Sequence, residues 1–186
     1  MVAAVSKPIT LEQFLALPEI DGSPAWEFIC GEVSQKPMPG GKHSWLQSRL
    51  GNAINGAGAN YEALPELRCT FGGKSMVPDL VVLATPDIPV DENGDISSTG
   101  IEFAPPLMIE ILSPEQNQAP RKILHCLRHG GQMGWLIDPY ERVVLVFYPD
   151  SLPDELTGEA VLPCLKKVDL ALTVDQLFGW LRVRNG

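Results

Sequence analysis

Apolar residues along this chain come mostly in short runs with strand-like alternation, and only four stretches keep helical spacing. Thr10-Leu11-Glu12-Gln13 has the form of a capping box, and Leu11, Phe14, Leu15 and Leu17 follow at helical spacing until Pro18 stops the element. Trp26–Cys30 and Glu32–Lys36 read as two short strands around Gly31, and the Pro/Gly loop 37–41 leads to a helix over 44–57. That helix has Leu46, Leu50, Ala53, Ile54 and Ala57 on one face. Strands are predicted at 67–71, 76–84 and 106–112, with Gly72-Gly73 as a hairpin turn. A helix over 121–129 ends at Gly130-Gly131, and strands at 134–137 and 142–148 are joined by the turn Asp138-Pro139-Tyr140-Glu141. Segments 161–165 and 167–170 read as edge strands, and Thr173 caps a last helix that buries Val174, Leu177, Phe178 and Leu181. The order of elements predicts an α/β class, bordering on α+β, with a mixed central sheet and one domain over 1–186.

Composition narrows the setting. The hydrophobic fraction of 45% with 20% charged residues is that of an ordinary globular protein with a core of its own. No apolar run approaches the ~20 residues of a membrane span, and residues 1–8 are too weakly apolar for a secretory signal, so a cytoplasmic protein without membrane contact is expected. Cys30, Cys69, Cys126 and Cys164 lie far apart with no CxxC pair, which predicts small buried side chains for most of them rather than disulfides or a zinc site. The net charge of −9 is local: nine acids in 85–104 and 149–160, without a base among them, make up the whole excess. Both stretches read as loops. The balanced remainder does not exclude a polyanionic substrate, although no basic stripe announces one.

Against that background two acids stand out. Asp79 lies within Met76-Val77-Pro78-Asp79-Leu80-Val81-Val82-Leu83, and Glu110 within Pro106-Leu107-Met108-Ile109-Glu110-Ile111-Leu112. Alternation puts Asp79 on the face of Val77, Val81 and Leu83, and Glu110 on that of Met108 and Leu112. A carboxylate buried among such neighbours is costly unless a cation compensates it. One reading pairs each acid with a nearby base or places it at a strand end. The other has both converge on one ion such as Mg²⁺, which takes hard oxygen ligands. His125 and His129 share a helix face but have no third ligand, and they read as surface histidines. Ser113 lacks the GxSxG elbow of a serine hydrolase.

Trp26-Glu27-Phe28-Ile29-Cys30-Gly31-Glu32-Val33, His43 at a helix start, Val77-Pro78-Asp79-Leu80-Val81-Val82, Ile109-Glu110-Ile111-Leu112-Ser113-Pro114, Lys122 and Gly134-Trp135-Leu136-Ile137-Asp138-Pro139 occur in an order that resembles the Uma-type family of putative restriction endonucleases. That family belongs to the PD-(D/E)xK nuclease superfamily, and the likeness spans nearly the whole chain. It implies a restriction-endonuclease-like mixed sheet flanked by helices and a Mg²⁺-dependent endonuclease, with Mn²⁺ as substitute. DNA is the implied substrate, a metal-activated water the attacking group, and a homodimer the assembly. By the same resemblance Asp79 and Glu110 are catalytic metal ligands, Glu27 completes the metal site, and His43 is an accessory residue beside it. The usual motif has lysine two residues after the second acid, where this chain has Leu112. The resemblance moves that lysine's catalytic role, orienting the water or stabilising the pentacovalent phosphate, to Lys122 on the following helix, with Arg121 and Gln116 as neighbouring alternatives. A member that keeps the fold but acts as a binding or regulatory module is the competing expectation.

Overall fold

A computed structural model describes residues 9–57, 60–114 and 118–183. Helix α1 (Leu11–Leu15) has the expected capping box, with Thr10 and Gln13 exchanging side-chain-to-backbone hydrogen bonds. Strands β1 (Trp26–Ile29) and β2 (Glu32–Gln35) form a hairpin, and helix α2 (Gly41–Ala57) follows. Strands β3 (Tyr61–Pro65), β4 (Cys69–Phe71), β5 (Lys74–Met76) and β6 (Leu80–Ala84) precede β7 (Leu107–Ile111). Helix α3 (Ala119–Arg128), strands β8 (Met133–Asp138), β9 (Val143–Phe147) and β10 (Asp154–Leu156), and helix α4 (Val174–Gly179) complete the order.

The strands form two sheets. The smaller has the order β2-β1-β5-β4; the larger has the order β10-β9-β8-β7-β6-β3 and is mixed, with β7 and β8 parallel and the other pairs antiparallel. Alternation along the central strands feeds two cores. Leu80, Val82, Leu107, Ile109 and Ile111 face Leu46, Leu50 and Ile54 of α2 and Leu177 and Phe178 of α4. Val81, Leu83, Met108 and Leu136 face the opposite way, toward Ile123, Cys126 and Leu127 of α3 and Phe71 and Met76 of the smaller sheet. Covered on both faces, β8 is apolar almost throughout. Helix α3 presses so closely on it that a Cβ on Gly134 would stand 2.3 Å from Ile123 Cγ2.

Four predicted segments are corrected. The run 76–84 is two strands, because Pro78 offers no N–H to a ladder and the chain crosses from the smaller sheet to the larger over Val77-Pro78-Asp79. Segments 161–165 and 167–170 form no strand. They hold only isolated bridge positions, Val161 paired with Thr173 and another at Val168, and Leu162, Leu165 and Val168 are instead buried outside any strand. The acidic stretch 149–160 is not wholly loop, since β10 pairs with β9 and leaves Asp154 and Glu155 on a charged outer edge. Strand β3 was not anticipated; it buries only Ala63 and so carries little apolar signal. The other acidic stretch leaves β6 as an excursion that includes a Val90–Ile96 bridge and returns at Ile101, which bonds to the backbone of Arg68 and Thr70.

Candidate active site

The register of the large sheet brings three acids into a row. Strand β6 pairs Leu80 with Pro65 of β3 and with Ile109 of β7, so one further step sets Asp79 between Glu66 and Glu110. The Glu66 N–H donates to the Asp79 carbonyl at 3.3 Å, continuing the first pairing. On the other side the ladder is replaced by a side chain: Asp79 Oδ2 accepts the Ile111 N–H at 2.7 Å. Glu66 turns out of β3 with φ +53°, in the left-handed region that a non-glycine residue enters only when its surroundings hold it there.

Two lysines compensate these acids from opposite sides. Lys122 projects from the buried face of α3 and is 1% exposed. Its Nζ lies 2.7 Å from Glu110 Oε1 and 2.9 Å from Glu27 Oε1, and it donates to the Val77 carbonyl at 3.3 Å. Glu27, on β1, also accepts the Val77 N–H at 2.7 Å, which ties the crossover to the smaller sheet. Lys36, just past β2, places Nζ 3.0 Å from Asp79 Oδ1 and 2.6 Å from Glu66 Oε2. His43 and Gln47 lie one turn apart on α2 and face the same acids. His43 Nε2 is 3.3 Å from Asp79 Oδ1, and Gln47 donates to Glu66 Oε1 at 2.9 Å and to the Asp79 carbonyl at 2.8 Å.

Burial and charge pull against each other here. Burial alone would raise Asp79, but the His43 hydrogen bond and the Lys36 ammonium hold it well below the usual carboxylate range. Glu110 goes the other way. Burial pushes it up to about 8 even though Lys122 pulls it down, and Asp79 adds to the rise. Burial works against the charged form of Lys122, yet Glu110 and Glu27 keep it above the ordinary lysine value. Lys36 is likewise raised, with burial opposed chiefly by Asp79.

A cleft of about 580 Å³ opens over this cluster and is lined by Lys36, His43, Gln47, Glu66 and Asp79. The structure therefore brings Glu27, His43, Asp79, Glu110 and Lys122 together, but not in one layer. Asp79 and His43 line the cleft; Glu27, Glu110 and Lys122 lie beneath it as a paired, buried set. Arg121 is exposed on α3, and Gln116 falls outside the described residues. Lys36, Glu66 and Gln47 were not foreseen. Alternation along β2 puts Lys36 on the face of Glu32 and Ser34, which gives no hint of an acid partner, and Glu66 reaches Asp79 only through the unforeseen β3. His125 is buried rather than at the surface. It stacks on Phe71 at 5.1 Å, with Nε2 3.0 Å from the Phe71 carbonyl oxygen.

The donors suit a divalent cation. A ring nitrogen of His43 and carboxylate oxygens of Glu66 and Asp79 all lie within 4.8 Å of one another, a mixed oxygen and imidazole set.

A mixed sheet with helices packed on its faces and a cluster of buried acids, Glu27, Asp79 and Glu110, under a cleft defines the protein as one of the nuclease-like α/β folds. The chain belongs to the Uma2 family, described as putative restriction endonuclease, whose model matches residues 11–175. It is similar to a crystal structure described as a putative nuclease belonging to DUF820 from Anabaena variabilis. That similarity has 46% identity and a TM-score of 0.87, and covers 94% of this chain and 99% of the other. No curated protein matches the chain. Among the described residues, no helix is long and apolar enough to cross a membrane.

Proposed function

We propose that the protein is a Mg²⁺-dependent endonuclease that hydrolyses phosphodiester bonds of DNA. The observation that supports this best is Asp79, fully buried yet held ionised at the floor of the cleft beside Glu110 of the neighbouring strand. Asp79 and Glu110 are the residues that would hold the ion, with Glu27 completing the set and His43 and Glu66 offering donors from the cleft side. A bound Mg²⁺ or Mn²⁺ supplies neutralisation of phosphate charge and a water of lowered pKa.

The chain's own groups do the positioning. Lys122 fixes the carboxylates of Glu110 and Glu27 and so acts as a positioning residue, its ammonium turned to the acids. The Ile111 N–H fixes one oxygen of Asp79, leaving the other toward His43 and the cleft. The cleft walls, including Leu67, Pro37 and Pro39, limit how much water surrounds the acids.

Cleavage of single- and double-stranded DNA in Mg²⁺ or Mn²⁺ tests the reading. Asp79→Ala is expected to reduce the rate beyond the ~10–100-fold typical of losing a partner outside the ligand set. Undiminished cleavage by that variant would place the activity elsewhere. A wild-type protein that binds metal and DNA without cutting would leave the binding-module reading.

A further inference from the structure

The Lys36 ammonium sits where a cation is wanted. It bridges Asp79 Oδ1 and Glu66 Oε2. Those two carboxylates, with His43, are also the groups whose donor atoms cluster within 4.8 Å. His43 is 7% exposed, and its Nδ1 is buried with no hydrogen-bond partner, a donor aimed at nothing the described protein supplies. We propose that Lys36 is the resident counter-cation of this site, that a divalent ion displaces it from Asp79, and that the freed ammonium binds the substrate phosphate in the cleft.

The charge balance carries the argument. Two carboxylates are only half neutralised by one ammonium, whereas one divalent ion neutralises both. A divalent ion and an ammonium cannot both stay in contact with the same carboxylate oxygen without strong repulsion in a poorly solvated pocket. The ammonium is the mobile partner, being a point charge on a flexible four-carbon stem. Lys36 also lines the cleft, and Glu66, the outer of its two anchors, has a side chain 45% exposed, so the way out leads toward the cleft mouth. Once displaced, Lys36 is a surplus positive charge beside the metal, and a phosphodiester carries the matching negative one. Lys122 has no such route, because two buried acids and a carbonyl hold it beneath the cleft floor. The exchange of cations stands on the geometry alone; the phosphate as second partner rests on the nuclease reading.

Amine-specific labelling of the full chain, read by peptide mass spectrometry, follows the exchange directly. Lys36 is expected to be protected in metal-free protein, to become several-fold more reactive in saturating Mg²⁺, and to be protected again when a short DNA duplex is added. Lys122 should stay unreactive in all three states, while the exposed Lys167 stays reactive. Lys36 labelling that ignores Mg²⁺ would overturn the exchange, and labelling that ignores DNA would overturn the phosphate role. Mn²⁺ titration by electron paramagnetic resonance gives a second readout. Lys36→Met should bind Mn²⁺ ~10-fold more tightly than wild type, within the range by which neighbouring groups tune metal sites, and Asp79→Asn should lose the site. Equal or weaker Mn²⁺ binding by Lys36→Met, or no Mn²⁺ binding by either protein, contradicts the proposal. Exchange without DNA cleavage would sink the nuclease reading alone; cleavage by a protein whose Lys36 never responds would sink this one alone.

Discussion

Replacing Lys122 by methionine isolates what the buried ion cluster contributes to the fold. The substitution keeps most of the side-chain volume and removes the ammonium, leaving Glu27 and Glu110, 5% and 0% exposed, without it. Breaking a buried pair by removing one partner costs ~3–5 kcal/mol, because the remaining charge is left uncompensated. Domains of this kind are stable by ~5–15 kcal/mol, so the loss is a large share of the total. At roughly 2–4 °C per kcal/mol for a chain this long, the melting temperature should fall by roughly 6–20 °C. The pH dependence follows from the directions of the shifts. Lys122 is raised above its ordinary 10.5, so its contribution is complete below that pH and is lost only as pH climbs through the still higher folded-state value. Glu110 is also raised, from 4.5 to about 8, so stability linked to its protonated form is full below 4.5 and lost as pH rises through about 8. In Lys122→Met, Glu110 loses the nearest positive charge that favours its ionised form, so the deficit should be largest near pH 8 and should shrink toward pH 5. Urea unfolding of both proteins at the two pH values, followed by circular dichroism, measures it. A deficit under ~1 kcal/mol at the higher pH, or one that grows on acidification, refutes the reasoning. Adding Glu110→Gln should recover part of the loss, since one of the two stranded charges is then gone.

Other consequences are narrower. In metal-free protein the Glu110 carboxyl should titrate near 8, and carbon-detected NMR showing an ordinary glutamate would separate it from the Asp79 pocket. Gly134→Ala should cost ~1–3 kcal/mol in thermal unfolding, because its Cβ meets Ile123 Cγ2 at 2.3 Å; a neutral result would mean α3 sits farther from β8. Arg68→Met removes a guanidinium that pairs with Asp21 and donates to the carbonyls of Ile20 and Trp26 and to Ser75. It should cost ~1.5–3 kcal/mol and speed proteolysis within 18–25, and unchanged digestion there would show that Arg68 does not hold that wall of the cleft.

The parts of this site legible in the sequence are those whose local surroundings are abnormal. Asp79 and Glu110 declare themselves because acids rarely interrupt runs of Ile, Leu and Val, and the fully buried positions confirm the expense. Their compensation is non-local and leaves no such trace. Lys36 lies forty-three residues from Asp79, and nothing in Glu32-Val33-Ser34-Gln35-Lys36 distinguishes a buried ammonium from a surface one. The resemblance to nuclease sequences singles out Lys122, but not that its ammonium is turned to Glu27 and Glu110. Pro78 did carry a signal for the break between β5 and β6, though the apolar residues on both sides of it hid the change of sheet. Over 161–170 alternation was misleading, because side chains of irregular chain fill the core as well as those of a strand do.

The bond from Asp79 to the Ile111 amide joins two strands that are separated in the chain by the whole acidic excursion between β6 and β7. Because side chain and sheet register hold the two acids together, the length of that excursion is irrelevant to them. Residues added to or removed from its tip at Asp91–Asp95 would leave the acids in place, while its returning arm, with Ser98 and Thr99, forms one wall of the cleft. If the cleft takes a nucleic acid as proposed, the wall that would meet it can therefore change by insertion and deletion without moving the acids of the floor.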